Sequence, residues 1–269
     1  MPSGKKSRQA RRATPPPVKS KGAPRTRQAS PRALAIGGGI VVIAVAAILI
    51  AHFTSGSSKK SGLPRNAVAV GSLANALPGS SDVAAEFKGI PQTGTTLGWP
   101  SAKVTMTEYI DLQCPICQEF ETQVFPDIVA RYIKTKKVKV VMKPWAFIGP
   151  DSIKGQAMTL AAAKQNKAFN FAAVLYNNQG EENTGWMTDD TLYNIAQSVP
   201  GLKIPQIFTE RNSASVKAEA AQVGKDATAQ NVSGTPTIFL TVPPGKTEQV
   251  PLANGLDETT LVKYLNAAL

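Results

Sequence analysis

Two cysteines, Cys114 and Cys117, supply all the thiol chemistry of this 269-residue chain, and they stand three positions apart in "DLQCPICQEF". A strand-like run precedes Cys114 and a helical pattern follows it, so the spacing puts Cys114 at a helix start and Cys117 one turn along the same face. The unpaired N–H groups and the dipole of a first turn favour negative charge there. Thiolate is the attacking form, and a thiol with an ordinary pKa of about 8.5 becomes more acidic in such a place. Pro115 suits the first helical position because it has no N–H to leave unpaired. A disulfide closed within one turn opens and closes with little backbone change, which fits the pair for thiol–disulfide exchange. Half of a zinc site has the same spacing, as does a structural bridge. Zinc would need ligands from another chain, since no second C-x-x-C and no nearby histidine supply them. A bridge over so short a loop removes little entropy from the unfolded chain.

The elements that must hold the pair follow from hydrophobic period. "VTMTEYI" (104–110) and "VKVVM" (138–142) are β-branched runs of strand length. Between them Phe120, Val124, Ile128 and Tyr132 recur at helical spacing, with Pro126 predicted to kink the helix. A strand, helix, strand unit implies parallel pairing with a right-handed crossover. Alternation along the first strand places Glu108 on the face of Val104 and Met106, which is the inward face. Burial would raise its pKa, so it could accept and return the proton of Cys117; the plainer reading is a solvated or salt-bridged acid.

Downstream, "SIKGQAMTLAAAKQNK", "AFNFAAVLYNNQ", "DDTLYNIAQSV" and "SASVKAEAAQVGKDATAQ" read as helices, with Asp151 or Ser152 and Thr188 as caps. "TPTIFLTV" and "TEQVPLA" form a hairpin across "PPGK", and a last amphipathic helix is capped by Asp257. The aromatics of "KPWAF" (143–147), with Trp99 and Trp186, are expected to pack the helical block rather than meet substrate.

"TEYIDLQCPICQEF" followed far downstream by "VSGTPTIF" resembles the DsbA-like branch of the thioredoxin superfamily. The similarity runs roughly from Phe87 to Leu269 and includes the approach segment "GIPQTGTTLGWPSAKV". It implies an α/β thioredoxin fold with an inserted helical block at about 150–230. It also implies that Cys114 is the exposed attacking cysteine and Cys117 the buried one. Pro236 then matches the family's cis-proline in a loop facing the pair, with the Thr235 backbone offered to a substrate peptide. Pro115 and Ile116 complete the substrate-facing loop. Where DsbA carries a histidine between its cysteines this chain has Ile116, so a milder oxidant is expected. No metal or organic cofactor is implied. Membrane-tethered members of this kind, with the domain facing outward, are familiar in actinobacteria.

Charge is unevenly spread. Ten of the 30 Lys and Arg, and no acid, fall within residues 1–32, leaving 20 basic against 18 acidic residues elsewhere. A pI near 9.7 therefore does not point to nucleic acid, because the basic residues sit in a tail too polar to fold. Residues 33–53, "ALAIGGGIVVIAVAAILIAHF", contain no Lys, Arg, Asp or Glu and match the thickness of a bilayer core as a helix. A cleaved signal peptide is the alternative, but its apolar region would be shorter and end in a small-x-small site. His52 reads as an interfacial residue. The expected organisation is a disordered basic cytoplasmic tail (1–32), one transmembrane helix (33–53), a flexible Gly/Ser/Ala/Pro stalk (54–81) and an outward-facing domain (82–269). The implied activity is introduction of disulfides into reduced exported proteins, with a membrane quinone-linked reoxidase. A reductase or isomerase, or a non-catalytic client-binding module, are the alternatives.

Overall fold

A computed structural model describes residues 62–269. The basic tail, the expected membrane helix and the first part of the expected stalk lie outside the described residues. Among the described residues no helix is long and apolar enough to cross a membrane.

The sheet has six strands: β1 Gln92–Thr93, β2 Thr96–Leu97, β3 Val104–Ile110, β4 Val138–Pro144, β5 Thr237–Val242 and β6 Lys246–Val250. Their order is β1-β2-β4-β3-β5-β6. β3 lies in the middle, parallel to β4 and antiparallel to β5. Its alternation works as expected: Val104, Met106, Glu108 and Ile110 are fully buried on one face, while Tyr109 on the other joins Phe239, Val223, Ala227 and Val232.

The helix between β3 and β4 carries Phe120, Val124, Ile128 and Tyr132 buried, as its periodicity predicts. We call it α2, after a short α1 at Ser80–Glu86. α2 starts as Pro115–Glu119 and continues through π-turn stretches Phe120–Val124 and Val129–Ile133 on either side of Phe125–Ile128. Pro126 does not interrupt it. The proline sits in the first turn after a π stretch, where its missing N–H breaks no α-type bond.

The helical block follows β4 as α3 Pro150–Ala163, α4 Ala168–Asn177, α5 Asp189–Gln197, α6 Ile204–Glu210 and α7 Ala214–Ala229; α8 Glu258–Ala268 ends the chain. Thr188, Ser213 and Asp257 cap α5, α7 and α8 through their side-chain oxygens. α3 is not capped by Asp151 or Ser152 as expected. Its cap is Gly149, whose N–H donates to Ser152 Oγ at 3.2 Å.

The stalk expectation needs correcting over its described part. Gly71 N–H donates to the Leu202 carbonyl, Gly201 N–H to the Gly71 carbonyl and Ser72 N–H to the Gln197 carbonyl, all within 2.9 Å. Val70 pairs with Lys203 as a β-bridge, and Leu77 N–H donates to Ser198 Oγ. This segment is fixed largely by backbone groups, with Leu63, Ala67 and Leu77 packed on the core at no regular spacing, so its composition reads as linker although it is packed. A side chain on Gly71 would run into the carbonyl oxygens of Ala196 and Val199.

Candidate active site

Cys114 is the N-cap of α2, and its sulfur accepts from the Cys117 N–H at 3.4 Å. Pro115 and Ile116 are exposed between the two thiols, Cys117 is fully buried, and Cys114, expected to be exposed, is itself only 6% exposed because its sulfur lies against the Thr235 carbonyl. Both cysteines are free thiols. The Thr235–Pro236 peptide is cis, and the Thr235 carbonyl accepts from Cys114 Sγ at 3.4 Å. Cys114 and Thr235, 121 positions apart in sequence, thus come together at one point. Gly255 closes a third side, where a Cβ would lie within about 3 Å of Ile116 Cγ2 and Pro236 Cδ.

The two sulfurs differ sharply. The Cys114 thiol is lowered to about 6, chiefly by a hydrogen bond from Cys117, aided by Thr235 and the N–H groups of Cys117 and Ile116, against the opposing cost of burial. Burial, followed by the neighbouring Cys114, pushes Cys117 well above 9. Such acidity changes Cys114 little as a nucleophile. Against a thiol of pKa about 8.5 its thiolate fraction at pH 7 rises about 30-fold, but intrinsic nucleophilicity falls about tenfold. As a leaving group it gains outright, which favours handing the disulfide on.

Glu108 is fully buried on the inward face of β3, and neither carboxylate oxygen has a hydrogen-bond partner among the described residues. Desolvation raises it to about 8, so it holds a proton at neutral pH.

Several residues of the site are not apparent from the sequence reading. Asp111, fully buried, accepts the N–H groups of Gln113 at 2.9 Å, Phe147 at 2.8 Å and Ile148 at 2.9 Å, tying the dithiol loop to the loop after β4. Gln113, buried beside Cys114, donates to Ser152 Oγ and accepts the Asn183 N–H, anchoring the loop to the helical block. Tyr176 Oη donates to the Asp111 carbonyl at 2.9 Å. A polar residue flanking the motif looks like surface in a sequence; only tertiary structure shows its partners. Phe147 also departs from expectation. Its ring lies 4.6 Å from that of Trp145, yet it is 48% exposed instead of packing the helical block, because Asp111 holds its backbone at the rim.

Removing Asp111 should loosen this frame. Asp111→Ala leaves three backbone donors without their acceptor and is expected to cost about 3–5 kcal/mol. The check is urea unfolding, with a lower midpoint and an unchanged slope.

A family model described as "Thioredoxin" matches residues 91–241, which takes in β3, the dithiol, the helical block and the cis-proline loop. The chain belongs to the thioredoxin family. Among relatives of this thioredoxin-family protein, the probable disulfide bond formation protein D of Bacillus cereus is 29% identical over 151 residues, 55% of this chain and 70% of the relative. Disulfide bond formation protein D of Bacillus subtilis is 28% identical over 153 residues, 54% of this chain and 66% of the relative. The structure of oxidised BdbD from Bacillus subtilis superposes with a TM-score of 0.57 at 21% identity, covering 66% of this chain and 96% of that one. That of Wolbachia pipientis α-DsbA1 gives 0.54 at 21%, covering 65% and 89%. These two share the fold, including the helical insertion. This thioredoxin-family chain is a DsbA-like thiol–disulfide oxidoreductase.

Proposed function

We propose that the chain is a membrane-tethered oxidase that introduces disulfides into exported proteins, anchored by residues 33–53 with residues 1–32 in the cytoplasm and the domain outside. The observation that carries this reading is the asymmetry of the dithiol, with Cys114 lowered to about 6 and Cys117 raised well above 9. A client thiolate attacks the Cys114 sulfur of the Cys114–Cys117 disulfide and Cys117 leaves, taking the proton of Glu108. A second client thiolate then attacks the client sulfur of the mixed disulfide, and Cys114 leaves as a stable thiolate. The client gains a disulfide, and the reduced pair is reoxidised by a membrane quinone-linked partner. Clients dock as extended chain against the Thr235–Pro236 backbone and Ile116. Ile116, Phe147 and Ile153, which are 37%, 48% and 62% exposed, give unfolded clients apolar contact. The names of the Bacillus relatives support the direction, since both are disulfide bond formation proteins.

Equilibrium with glutathione, read by thiol alkylation, tests that direction. At pH 7 a Cys114 thiol of pKa about 6 stabilises the reduced form by about 1.4 kcal/mol over an ordinary thiol, or about 30 mV. The potential is therefore expected above thioredoxin's, about −270 mV, and below DsbA's, about −120 mV. A value at or below that of thioredoxin would sink the oxidase reading and favour a reductase.

A further inference from the structure

Cys117 is fully buried, yet its proton must come and go with every turnover. Reduction of the disulfide delivers two electrons to the two sulfurs. Cys114 keeps its sulfur as thiolate at neutral pH, so one proton enters the interior to make the Cys117 thiol. Glu108 supplies it and becomes a carboxylate with no hydrogen-bond partner among the described residues, which its surroundings strongly disfavour. It must be reprotonated from somewhere.

Two further carboxyls stand without full hydrogen bonding, one on α2 and one at the end of α1. Glu121 is one helical turn past Cys117, about 6 Å of rise, on the same buried face, and is 6% exposed. Its Oε1 has no hydrogen-bond partner among the described residues. Glu86 ends α1, half-buried, with its Oε1 in the same condition. The next residue, Phe87, meets Phe169 edge-on at 6.2 Å, and Phe169 stacks on Phe125 of α2 at 6.2 Å. That aromatic ladder ties the end of α1, which carries Glu86, to the turn of α2 that follows Glu121. Each group feels its neighbour: Glu121 is raised by burial and then by the charges of Glu108 and Glu86, whereas Glu86 is raised by burial to about 7 and lowered by Lys134. Tyr176 also faces Glu121 and Cys117, but burial holds its hydroxyl well above its ordinary value, so it remains a proton donor.

We propose that Glu121 and Glu86 extend Glu108 into a proton relay along α2, connecting buried Cys117 to solvent beside Lys134, away from the client-facing thiol. On reduction Glu108 protonates Cys117, Glu121 reprotonates Glu108, Glu86 reprotonates Glu121, and water refills Glu86. On oxidation the Cys117 thiol gives its proton to Glu108 carboxylate, and its thiolate attacks the Cys114 sulfur of a mixed disulfide, expelling the partner thiolate. The relay then runs outward. One proton enters per reduction and one leaves per oxidation. The relay rests on the exchange between Glu108 and Cys117 proposed above.

The test is stopped-flow exchange of the full chain with reduced and oxidised glutathione, in water and in deuterium oxide. Glu121→Gln is expected to slow the Cys117-dependent step about tenfold and Glu86→Gln at least threefold, less than a group that exchanges its proton directly with the sulfur, because both act through Glu108. The equilibrium constant with glutathione should stay within about twofold, because glutamine mimics the protonated acid. Glu86→Asp, or rising imidazole concentration added to Glu86→Gln, should restore the rate, which loss of packing would not allow. Wild-type rate and isotope effect in Glu86→Gln, or a loss that neither aspartate nor imidazole restores, would overturn the relay. If Glu108→Gln itself leaves the Cys117 step unchanged, the Glu108 role fails first. A slow Glu108→Gln beside a normal Glu86→Gln removes the relay alone.

Discussion

In the reduced protein at pH 7, iodoacetamide is expected to consume Cys114 at least about tenfold faster than Cys117, the thiolate fraction and the burial of Cys117 outweighing the lower nucleophilicity of an acidic thiol. With a pKa near 6 Cys114 is roughly nine-tenths thiolate at that pH, whereas Cys117, above 9 and fully buried, is below about one per cent. The Cys114 rate should follow a single titration with its midpoint near pH 6. The two serine variants then separate the roles. Cys117→Ser keeps the attacking sulfur, removes the only internal competitor for a mixed disulfide, and should accumulate that species with a thiol client. Cys114→Ser should form none, and its disulfide-forming activity should fall at least about 1,000-fold. Cys117→Ala, which takes away the side-chain hydrogen bond that most lowers Cys114, should move that midpoint upward. Mass spectrometry of the trapped complex, with the alkylation profile, checks all three. Equal reactivity of the two cysteines would return the pair to a structural bridge.

Much of this site was legible because it is local. The Cys114–Cys117 spacing, Pro115 at the first helical position and the inward side of β3 all lie within fourteen residues of Val104, and period and capping rules read them directly. The Thr235–Pro236 loop needed the family resemblance, because nothing in "VSGTPTIF" alone says that it returns to the dithiol. Three other features escaped for separate physical reasons. Asp111 and Gln113 are satisfied by backbone and side-chain groups from elements dozens of residues away, so no spacing rule marks them. Residues 67–81 pack largely through main-chain hydrogen bonds, with only Ala67 and Leu77 against the core, and neither leaves a side-chain period. α6 has too few apolar positions, seven residues in all, to show a helical pattern of its own. Glu121 did carry a signal: it lies four residues after Cys117 in a helix whose apolar face it shares, and a carboxylate in that place is buried unless the helix turns away.

Glu108→Gln should make the protein more stable while making it a worse exchanger. In the fold the carboxyl is raised from 4.5 to about 8 by desolvation. A raised acid binds more protons folded than unfolded between those two values, so stability declines as pH climbs from about 4.5 through 8. Below the unfolded pKa the side chain is neutral in both states, and glutamine should match glutamate. Above about pH 8 the wild type must hold a buried carboxylate that glutamine avoids, a difference on the order of 5 kcal/mol. The urea midpoints of variant and wild type should therefore coincide near pH 4 and diverge progressively toward pH 9, with the variant higher. Loss of the Glu108 charge also removes the neighbour that raises Glu121, so some divergence persists between those limits. Kinetically, attack on Cys114 should be nearly intact and the step that moves the Cys117 proton slowed about 100-fold, the lower end of what a positioned acid–base group contributes. An equal loss in both steps, or stability curves that run parallel at every pH, would mean that Glu108 holds structure and does not move a proton. The expected combination, stability gained where exchange is lost, follows from one fact: a carboxyl poised to trade a proton with Cys117 has to be kept where its charged form is costly.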